Sequence, residues 1–274
     1  MSQPPTYASQ LLIGLLFCIG AGPATTQSTQ PVESPQATAL LTSVREAYLS
    51  AQSLRVEGTI HGDFDIAGRQ REYKVSFTGI GDGAGRFGGD IKTKDGEPLQ
   101  IFAANGKQLT LYNARRNSYA TAASFAERVP AGELPDAFVA LMLDGDASSL
   151  LLLCDAPDTL LRLGATKLDV ADTPADEPAI LLWESADEKR RFFFDSKTRL
   201  LQKLEIDYTP LFAARDTNGI KRAVVTITYT RVEPGAVTAD SDFAFKPPAT
   251  ASEFVLHVEM MRDVTPPATR PDTP

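Results

Sequence analysis

The sequence predicts an α+β fold in which a curved antiparallel sheet forms an incomplete β-barrel that is closed by an N-terminal helix and by mid-chain helices. Three observations support this class: an amphipathic helical pattern early in the chain, several segments with period-two alternation, and no repeated strand–helix–strand order. The chain has 274 residues, 43% of them hydrophobic, so it can bury a large core without metal or disulfide cross-links. Its formal net charge of −8 disfavours nucleic acid as a partner, because binding to the phosphate backbone needs clustered basic residues.

The N-terminal residues have the pattern of an export signal. Residues 11–21 form an uncharged apolar run that is too short to span a bilayer but suits the hydrophobic region of a signal peptide. Small residues follow, so we predict a signal peptide at residues 1–24 and a periplasmic or secreted protein. Cys18 lies in the apolar run, where lipidation is the alternative to an ordinary apolar role. Residues 25–36 lack apolar periodicity and predict a flexible linker.

The predicted domain spans residues 37–262 and begins with a helix. Over residues 37–52, apolar side chains recur at helical spacing and form a stripe that must cover an apolar surface. Over residues 54–66, apolar or small residues occupy every even position, which predicts a long strand with one buried face. After a turn at Ala67-Gly68, the alternation resumes around residues 73–77 and predicts an antiparallel neighbour.

The remaining pattern is a second meander separated from the first by helices. Strands are predicted near residues 86–94 and 99–103, and Asn105-Gly106 predicts a two-residue hairpin turn, because both positions tolerate positive φ. The same periodicities predict the later segments: strands at 107–112 and 118–121, helices at 134–143 and 148–154, and strands at 180–184, 190–194, 200–208, 223–231 and 253–260. Residues 263–274 predict a disordered tail.

Residues that carry enzymatic chemistry are scarce. The sequence contains no G-x-S-x-G, H-E-x-x-H or C-x-x-C motif. A G-x-G-x-x-G match at residues 83–88 continues as a strand pattern rather than a helix, so it does not predict a phosphate-binding loop. We therefore expect no catalytic residue and no enzyme; the alternative is a hydrolase without a recognisable motif that uses Glu184 or Asp195.

Metal and thiol chemistry are also not expected. His61, Asp63 and Asp65 share one face of the first long strand, but it is the polar face, so a solvated surface is favoured over a metal site. His257 is expected to be structural. Cys154 lies in an apolar run of leucines and is expected to be a small buried hydrophobe. We predict no metal and no cofactor.

Two segments resemble the LolA-like superfamily, the periplasmic carriers of outer-membrane lipoproteins and their secreted relatives. Residues 242–248, DFAFKPP, are similar to the closing F-x-F-x-P-P signature of that family. Residues 101–113, IFAANGKQLTLYN, resemble its hairpin, with Tyr119 as the later aromatic residue. The order of these segments, the opening helix and the long first strand extends the resemblance over residues 37–260.

The resemblance implies a half-barrel that encloses an apolar cavity for acyl chains. In that family an Arg and an aromatic residue on the strand before the hairpin control ligand entry; Arg86 and Phe87 occupy this stretch, and the family's basic residue followed by proline has no counterpart. We predict a ligand-binding set from the sheet and the mid-chain helices: Phe64, Phe77, Arg86, Phe87, Ile91, Leu109, Leu111, Phe138, Leu141, Met142 and Trp183. The alternative is that the apolar members fill a packed core.

The predicted function follows from the resemblance and from the missing catalytic motifs. We expect an exported, monomeric, non-enzymatic carrier or chaperone that binds lipid acyl chains or lipidated protein in the cell envelope. The alternative is an envelope-sensing module on the same fold that acts by contact with another protein.

Overall fold

A computed structural model describes residues 31–82, 85–123, 162, 165–214 and 219–253. The predicted signal peptide, Cys18, the mid-chain helices with Cys154, His257 and the predicted disordered tail lie outside the described residues. The described part contains two α-helices, α1 (Pro35–Leu49) and α2 (Thr209–Ala214), and a 3-10 turn at Asp240–Phe243. Its strands are β1 (Val32–Glu33), β2 (Leu54–Ile66), β3 (Arg69–Gly81), β4 (Arg86–Thr93), β5 (Pro98–Asn105), β6 (Gln108–Asn113), β7 (Ser118–Ala123), β8 (Lys167–Val170), β9 (Ala179–Glu184), β10 (Lys189–Phe194), β11 (Leu201–Asp207), β12 (Ile220–Pro234) and β13 (Ser252–Glu253).

Within the described residues, all thirteen strands belong to one curved sheet, in the order β1-β8-β9-β10-β11-β12-β2-β3-β4-β5-β6-β7-β13. Strands β2 and β12 pair over most of their length at the centre. Neighbours are antiparallel except at the two edges, where β1 runs parallel to β8 and β13 runs parallel to β7. The open, curved sheet of the predicted incomplete barrel is confirmed, whereas the prediction of an entirely antiparallel sheet is wrong at both edges.

Helix α1 covers one face of this sheet. Its apolar stripe is buried, as the periodicity predicts, and it packs against β8 and β9. The Tyr48 hydroxyl accepts a hydrogen bond from the backbone N–H of Leu201 at 2.9 Å, which ties the end of the helix to the start of β11. Because α1 and most of the strands contribute to one buried cluster, we call the face that packs against α1 the inner face and the opposite one the outer face.

The domain begins earlier than the periodicity predicts. Ser34 caps α1, since its Oγ accepts from the backbone N–H of Ala37 at 3.2 Å, and Pro35 occupies the first turn, where a missing N–H costs nothing. Val32 and Glu33 form β1, so the last residues of the segment predicted as a linker belong to the sheet and the helix. Two residues of parallel pairing leave no periodic pattern that sequence inspection detects.

The first hairpin matches its prediction closely, and the Asn-Gly hairpin does not. Strand β2 has the predicted bounds, and a two-residue turn at Ala67 and Gly68, with φ values of 53° and 76°, leads into β3. At the β5–β6 hairpin, Gly106 has a φ of 84° but Asn105 does not adopt positive φ. The Asn105 side chain instead accepts from the backbone N–H groups of Lys107 and Gln108, both at 3.0 Å. Gly106 and Lys107 are the two residues between the strands, so the turn is shifted by one residue from the predicted Asn105-Gly106 pair.

The β2–β3 turn provides a test of backbone strain. Ala67 holds a left-handed conformation that costs an L-residue with a plain Cβ roughly 1 kcal/mol, and Asn-Gly is the preferred pair for such a turn. We expect Ala67→Asn to raise the free energy of unfolding by about 0.5–1 kcal/mol in urea titrations.

Gly68→Ala is the matched control. No atom lies within 4 Å of the position of an added Cβ, so the substitution adds only backbone strain and should lower stability by about 1 kcal/mol. If both variants change stability in the same direction, the turn does not have the described geometry.

Candidate functional site

The inner face carries most of the predicted ligand-binding residues. Four of them are nearly fully buried in the core that packs against α1: Phe77, Phe87, Leu109 and Trp183. Their packing matches the alternative in which these positions fill a core. Phe64, Ile91 and Leu111 are only partly buried and pack against the same cluster. Phe138, Leu141 and Met142 lie outside the described residues.

Several partly buried apolar positions lie on the inner face of neighbouring strands. Together with Tyr73 and Val75, we call Phe64, Ile91 and Leu111 the inner strip. Its members lie on β2, β3, β4 and β6, and Gln100 and the buried Phe102 occupy the inner face of β5 between them. From β2 to β6 is four strand spacings, or about 19 Å at ~4.8 Å each.

Glycines on the inner face allow aromatic rings to lie against the sheet. A Cβ built on Gly62 would lie 2.0 Å from the Tyr73 ring, and one built on Gly58 would lie 2.6 Å from the Phe77 ring. A third pair joins Gly89 to the Phe102 ring, at 2.5 Å. In each pair the ring occupies the space of the missing side chain, so the rings lie directly over the backbone of the sheet.

Arg86 lies on the outer face, away from the inner strip. Successive strand residues point to opposite faces, so Arg86 points outward while Phe87 points into the core. The structure therefore does not bring Arg86 and Phe87 together in one site. What covers Arg86 is the C-terminal segment of residues 235–253, which we call the strap.

The strap crosses the outer face from the end of β12 to β7. It begins beside Ser53, whose Oγ donates to the carbonyl of Ala236 at 2.6 Å. Its 3-10 turn lies over β4 and β5, and it ends as β13 beside β7. Phe243 is 2% exposed, and the Phe245 ring lies 5.4 Å from the Tyr112 ring, so both phenylalanines of the F-x-F-x-P-P segment anchor the strap to the sheet.

Arg86, a residue of β4, makes two contacts with the strap and one with Asp82, which follows the end of β3. Its Nη1 lies 2.8 Å from Asp240 Oδ1, its Nε donates to Asp82 Oδ2, and its guanidinium carbon lies 4.6 Å from the centre of the Phe243 ring. The hydrogen bonds to Asp82 and then to Asp240 raise the pKa of Arg86. The guanidinium therefore stays charged and adds an ionic contact to the apolar contacts that the two phenylalanines make.

A small pocket of about 300 Å³ lies between the strap and the β5–β6 hairpin. Its lining is mixed in character and comes from both elements: Ala103, Asn105, Gln108, Thr110, Phe243, Ala244, Phe245 and Lys246. None of the predicted ligand-binding residues that the structure describes lines this pocket. Its volume is at the lower end of the range found for small-molecule sites.

A charged cluster on the inner face was not predicted. Arg190 lies directly opposite Trp183 in the β9–β10 pairing, with its guanidinium carbon 4.5 Å from the centre of the indole, and its Nη2 donates to Glu188. We call Trp183, Arg190 and Glu188 the rim cluster, because they lie beside the β9–β10 hairpin. The sequence does contain a pattern that indicates this position, because Arg190 occupies the same alternating face as the buried Phe192 and Phe194.

The polar face of β2 makes polar contacts with its two neighbouring strands. Asp63 Oδ2 lies 2.7 Å from Arg222 Nε, and His61 Nε2 lies 3.7 Å from Glu72. Among the described residues, no group of three or more His, Cys, Asp or Glu side chains is arranged to hold a metal ion. These side chains therefore stabilise strand pairing on a solvent-facing surface.

Asp195, the carboxylate of the hydrolase alternative, organises a turn. It accepts from the backbone N–H groups of Thr198 and Lys197, at 2.7 and 3.0 Å, and these bonds lower its pKa. A carboxyl group with a lowered pKa is ionised at neutral pH, so it is suited to hold the β10–β11 connection rather than to donate a proton.

Within the ranges that the structure describes, no helix is both long and apolar enough to cross a membrane.

Comparison with known proteins gives only distant likenesses. No protein-family model matches the sequence, and no curated protein matches it. The chain resembles a solved structure of an uncharacterised conserved protein from Thermus thermophilus, with 8% identity and a TM-score of 0.44 over 80% of this chain and 99% of that one. It also resembles a LolA superfamily protein from Nitrosomonas europaea, with 10% identity and a TM-score of 0.34 over 76% and 97% of the two chains. A putative outer membrane lipoprotein-sorting protein domain from Vibrio parahaemolyticus matches with 8% identity and a TM-score of 0.35 over 74% and 94%.

The contact between the strap and β4 can be tested at Gly88. A Cβ added there would lie 2.0 Å from the backbone carbonyl oxygen of Asp242, so Gly88→Ala must displace the strap. We expect stability to fall by about 1–3 kcal/mol and chymotrypsin to cleave sooner at Phe243 or Phe245.

Ser76→Ala, a small change on the outer face of β3, serves as the control and should leave both measurements unchanged. Faster cleavage elsewhere in the chain, with the strap still protected, would contradict the described contact.

Proposed function

We propose that this chain is an exported, non-enzymatic binder or carrier of lipid acyl chains or of lipidated protein in the cell envelope. The observation that carries the proposal is the inner strip, a set of partly buried apolar side chains distributed over about 19 Å of one face of the curved sheet. Long apolar surfaces of this kind fit long apolar ligands, and the sequence resemblance to lipoprotein carriers points to the same chemistry.

Burial of an acyl chain supplies enough free energy for useful binding affinity. Each buried methylene contributes about 0.8 kcal/mol, so partial burial of a chain on the inner strip supports binding even without a specific polar contact. The proposed setting is the periplasm or the exterior, reached through the apolar N-terminal segment, and the proposed active form is a monomer.

Native mass spectrometry on mature protein, purified without detergent from its exported compartment, tests the proposal directly. We expect discrete added masses that disappear on extraction with organic solvent and that return when palmitate is added. A protein that carries no such mass and rejects added palmitate would overturn the proposal and favour the alternative module that acts by protein contact.

A matched pair of substitutions on β4 tests whether the inner strip is the binding surface. Ile91→Gln removes apolar contact from the inner strip, whereas Lys92→Gln changes the adjacent residue on the outer face. We expect Ile91→Gln to weaken palmitate binding about five- to tenfold, which corresponds to the loss of roughly 1–1.4 kcal/mol of apolar contact.

Lys92→Gln should bind palmitate like the parent chain, and circular dichroism should confirm that both variants are folded. Equal affinities for the two variants would exclude this part of the inner face as the ligand surface.

A further inference from the structure

The pocket beneath the strap lies on the outer face, apart from the inner strip. We call this cavity of about 300 Å³ between the strap and the β5–β6 hairpin the strap pocket. Ala103 and Thr110, which are paired directly across β5 and β6, line its sheet side. Successive strand residues point to opposite faces, and the next residues, Ala104 and Leu109, belong to the inner core. The sheet therefore separates the strap pocket from the inner strip.

The strap pocket is open because small side chains lie beneath a strap that is held at two points. At the first, the strap touches β4 at Gly88, the direct partner of Ala103, where an added Cβ would lie 2.0 Å from the carbonyl oxygen of Asp242. At the second, the Phe245 ring packs on the Tyr112 ring. The small side chains of the sheet do not fill the space that these two contacts leave, so the cavity belongs to the folded structure.

Thr110 is a polar residue that the described residues leave without a side-chain partner. It is only 7% exposed, and its hydroxyl makes no hydrogen bond to the residues that the structure describes. Buried hydroxyl groups are nearly always paired, because an unpaired one forfeits its bonds with water. Since Thr110 lines the strap pocket, an occupant of the pocket can supply the partner.

The side chains at the open side of the strap pocket present donors. Asn105 Oδ1 already accepts from the backbone N–H groups of Lys107 and Gln108, so its Nδ2 is the atom that remains for a ligand. Lys246 adds an ammonium group, and it forms no ion pair within the described ranges. No Asp or Glu side chain of the described residues lines the cavity. An occupant with acceptor oxygens and a negative charge therefore complements this lining.

The other half of the lining is apolar. Phe243, Ala244 and Phe245 form the wall that the strap contributes. An anion without carbon, such as inorganic phosphate, would leave this wall in contact with water. A short apolar or aromatic group attached to the anionic group covers the wall, and the cavity volume suits a small molecule.

We propose that the strap pocket binds a small organic anion, that is, a carboxylate or phosphate attached to a short apolar or aromatic group. Lys246 and Asn105 Nδ2 donate to the anionic oxygens, and the Thr110 hydroxyl donates to the same group. Phe245 covers the apolar part. Because the site lies on the face opposite to the inner strip, it goes beyond the proposed function and does not depend on it.

Titration of the mature chain with phenylacetate and with phenylacetamide tests the site, because the two probes are similar in size and differ in negative charge. Binding is followed through the backbone amide signals in NMR spectra. We expect phenylacetate to shift the signals of β5, β6 and the strap with a Kd of about 1 mM. It should bind about fivefold more tightly than phenylacetamide, since only its oxygens form charge-assisted hydrogen bonds. Equal affinities of the two probes would overturn the proposal.

Two exposed lysines provide a matched pair of variants. Lys246 lines the strap pocket, whereas Lys107 lies in the turn of the same β5–β6 hairpin and does not line it. Lys246→Gln should reduce the preference for phenylacetate to about twofold or less. Lys107→Gln changes the net charge by the same amount and should leave both affinities unchanged. Equal effects of the two substitutions would overturn the proposal in favour of a general dependence on charge.

Thr110→Val tests the buried hydroxyl at nearly constant side-chain size. Since this hydroxyl has no partner among the described residues, the variant should fold like the parent chain, which circular dichroism checks. Its affinity for phenylacetate should fall about threefold. An affinity equal to that of the parent chain would overturn the role of Thr110 in the site.

Other probes separate the chemistry of the occupant and the two proposals. Phenyl phosphate that binds more tightly than phenylacetate would support the site with phosphate as its preferred group. Acetate or inorganic phosphate that binds as tightly as phenylacetate would overturn the apolar part of the proposal. An absence of signal shifts in β5, β6 and the strap would overturn the site. Binding of phenylacetate by a chain that rejects palmitate would support the strap pocket while overturning the proposed function.

Discussion

The pairing of β2 with β12 is the contact on which the rest of the sheet depends. It joins residues 54–66 to residues 220–234, and it places the two halves of the chain, each a meander of local hairpins, into one continuous sheet. Without it, β2–β7 and β8–β12 would each be an open sheet with a long unpaired edge. The pairing also sets the registers on both sides, so it determines which residues of distant strands share a row on the inner face.

The two faces of the sheet are covered by different means. On the inner face, α1 and the aromatic rings that lie over glycines form the main core. On the outer face of β4 and β5, the strap buries a smaller apolar set through Phe243 and is held by the charge of Arg86. Strand alternation assigns adjacent residues to these separate environments, which is why Arg86 and Phe87 have unrelated roles despite being neighbours in sequence.

The sequence was sufficient to predict the long helix and strands, and it was insufficient to predict the short ones. The bounds of β2 and the buried stripe of α1 follow directly from apolar spacing, because one face of each is buried along its whole length. Strands of two to four residues, such as β1 and β8, are too short to contain a period, and α2 spans less than two turns. Their formation depends on tertiary partners that are distant in sequence.

Only the apolar residues on the inner face of the candidate site could be predicted from the sequence. Periodicity places Phe64, Ile91 and Leu111 on the inner face, but it does not reveal which inner residues stay partly exposed, since that depends on what packs against them from other elements. Arg190 was overlooked because a charged residue in a strand is ordinarily assigned to solvent. Its position in the alternation with Phe192 and Phe194 contained the necessary signal.

The position of the strap has a consequence for the order in which the molecule can be assembled. Residues 235–253 cover strands that begin about 150 positions earlier in the sequence, at Arg86. Strand β2 is separated from its partner β12 by a similar length of chain. A chain that emerges N-terminus first, from a ribosome or through a translocation channel, therefore cannot complete the described sheet until residues 220–253 have been released. Its early hairpins remain reversible during that interval, because non-local contacts that would stabilise them form last. The chain therefore folds slowly while it is being released, and its hairpins become stable only after β12 and the strap have joined the sheet.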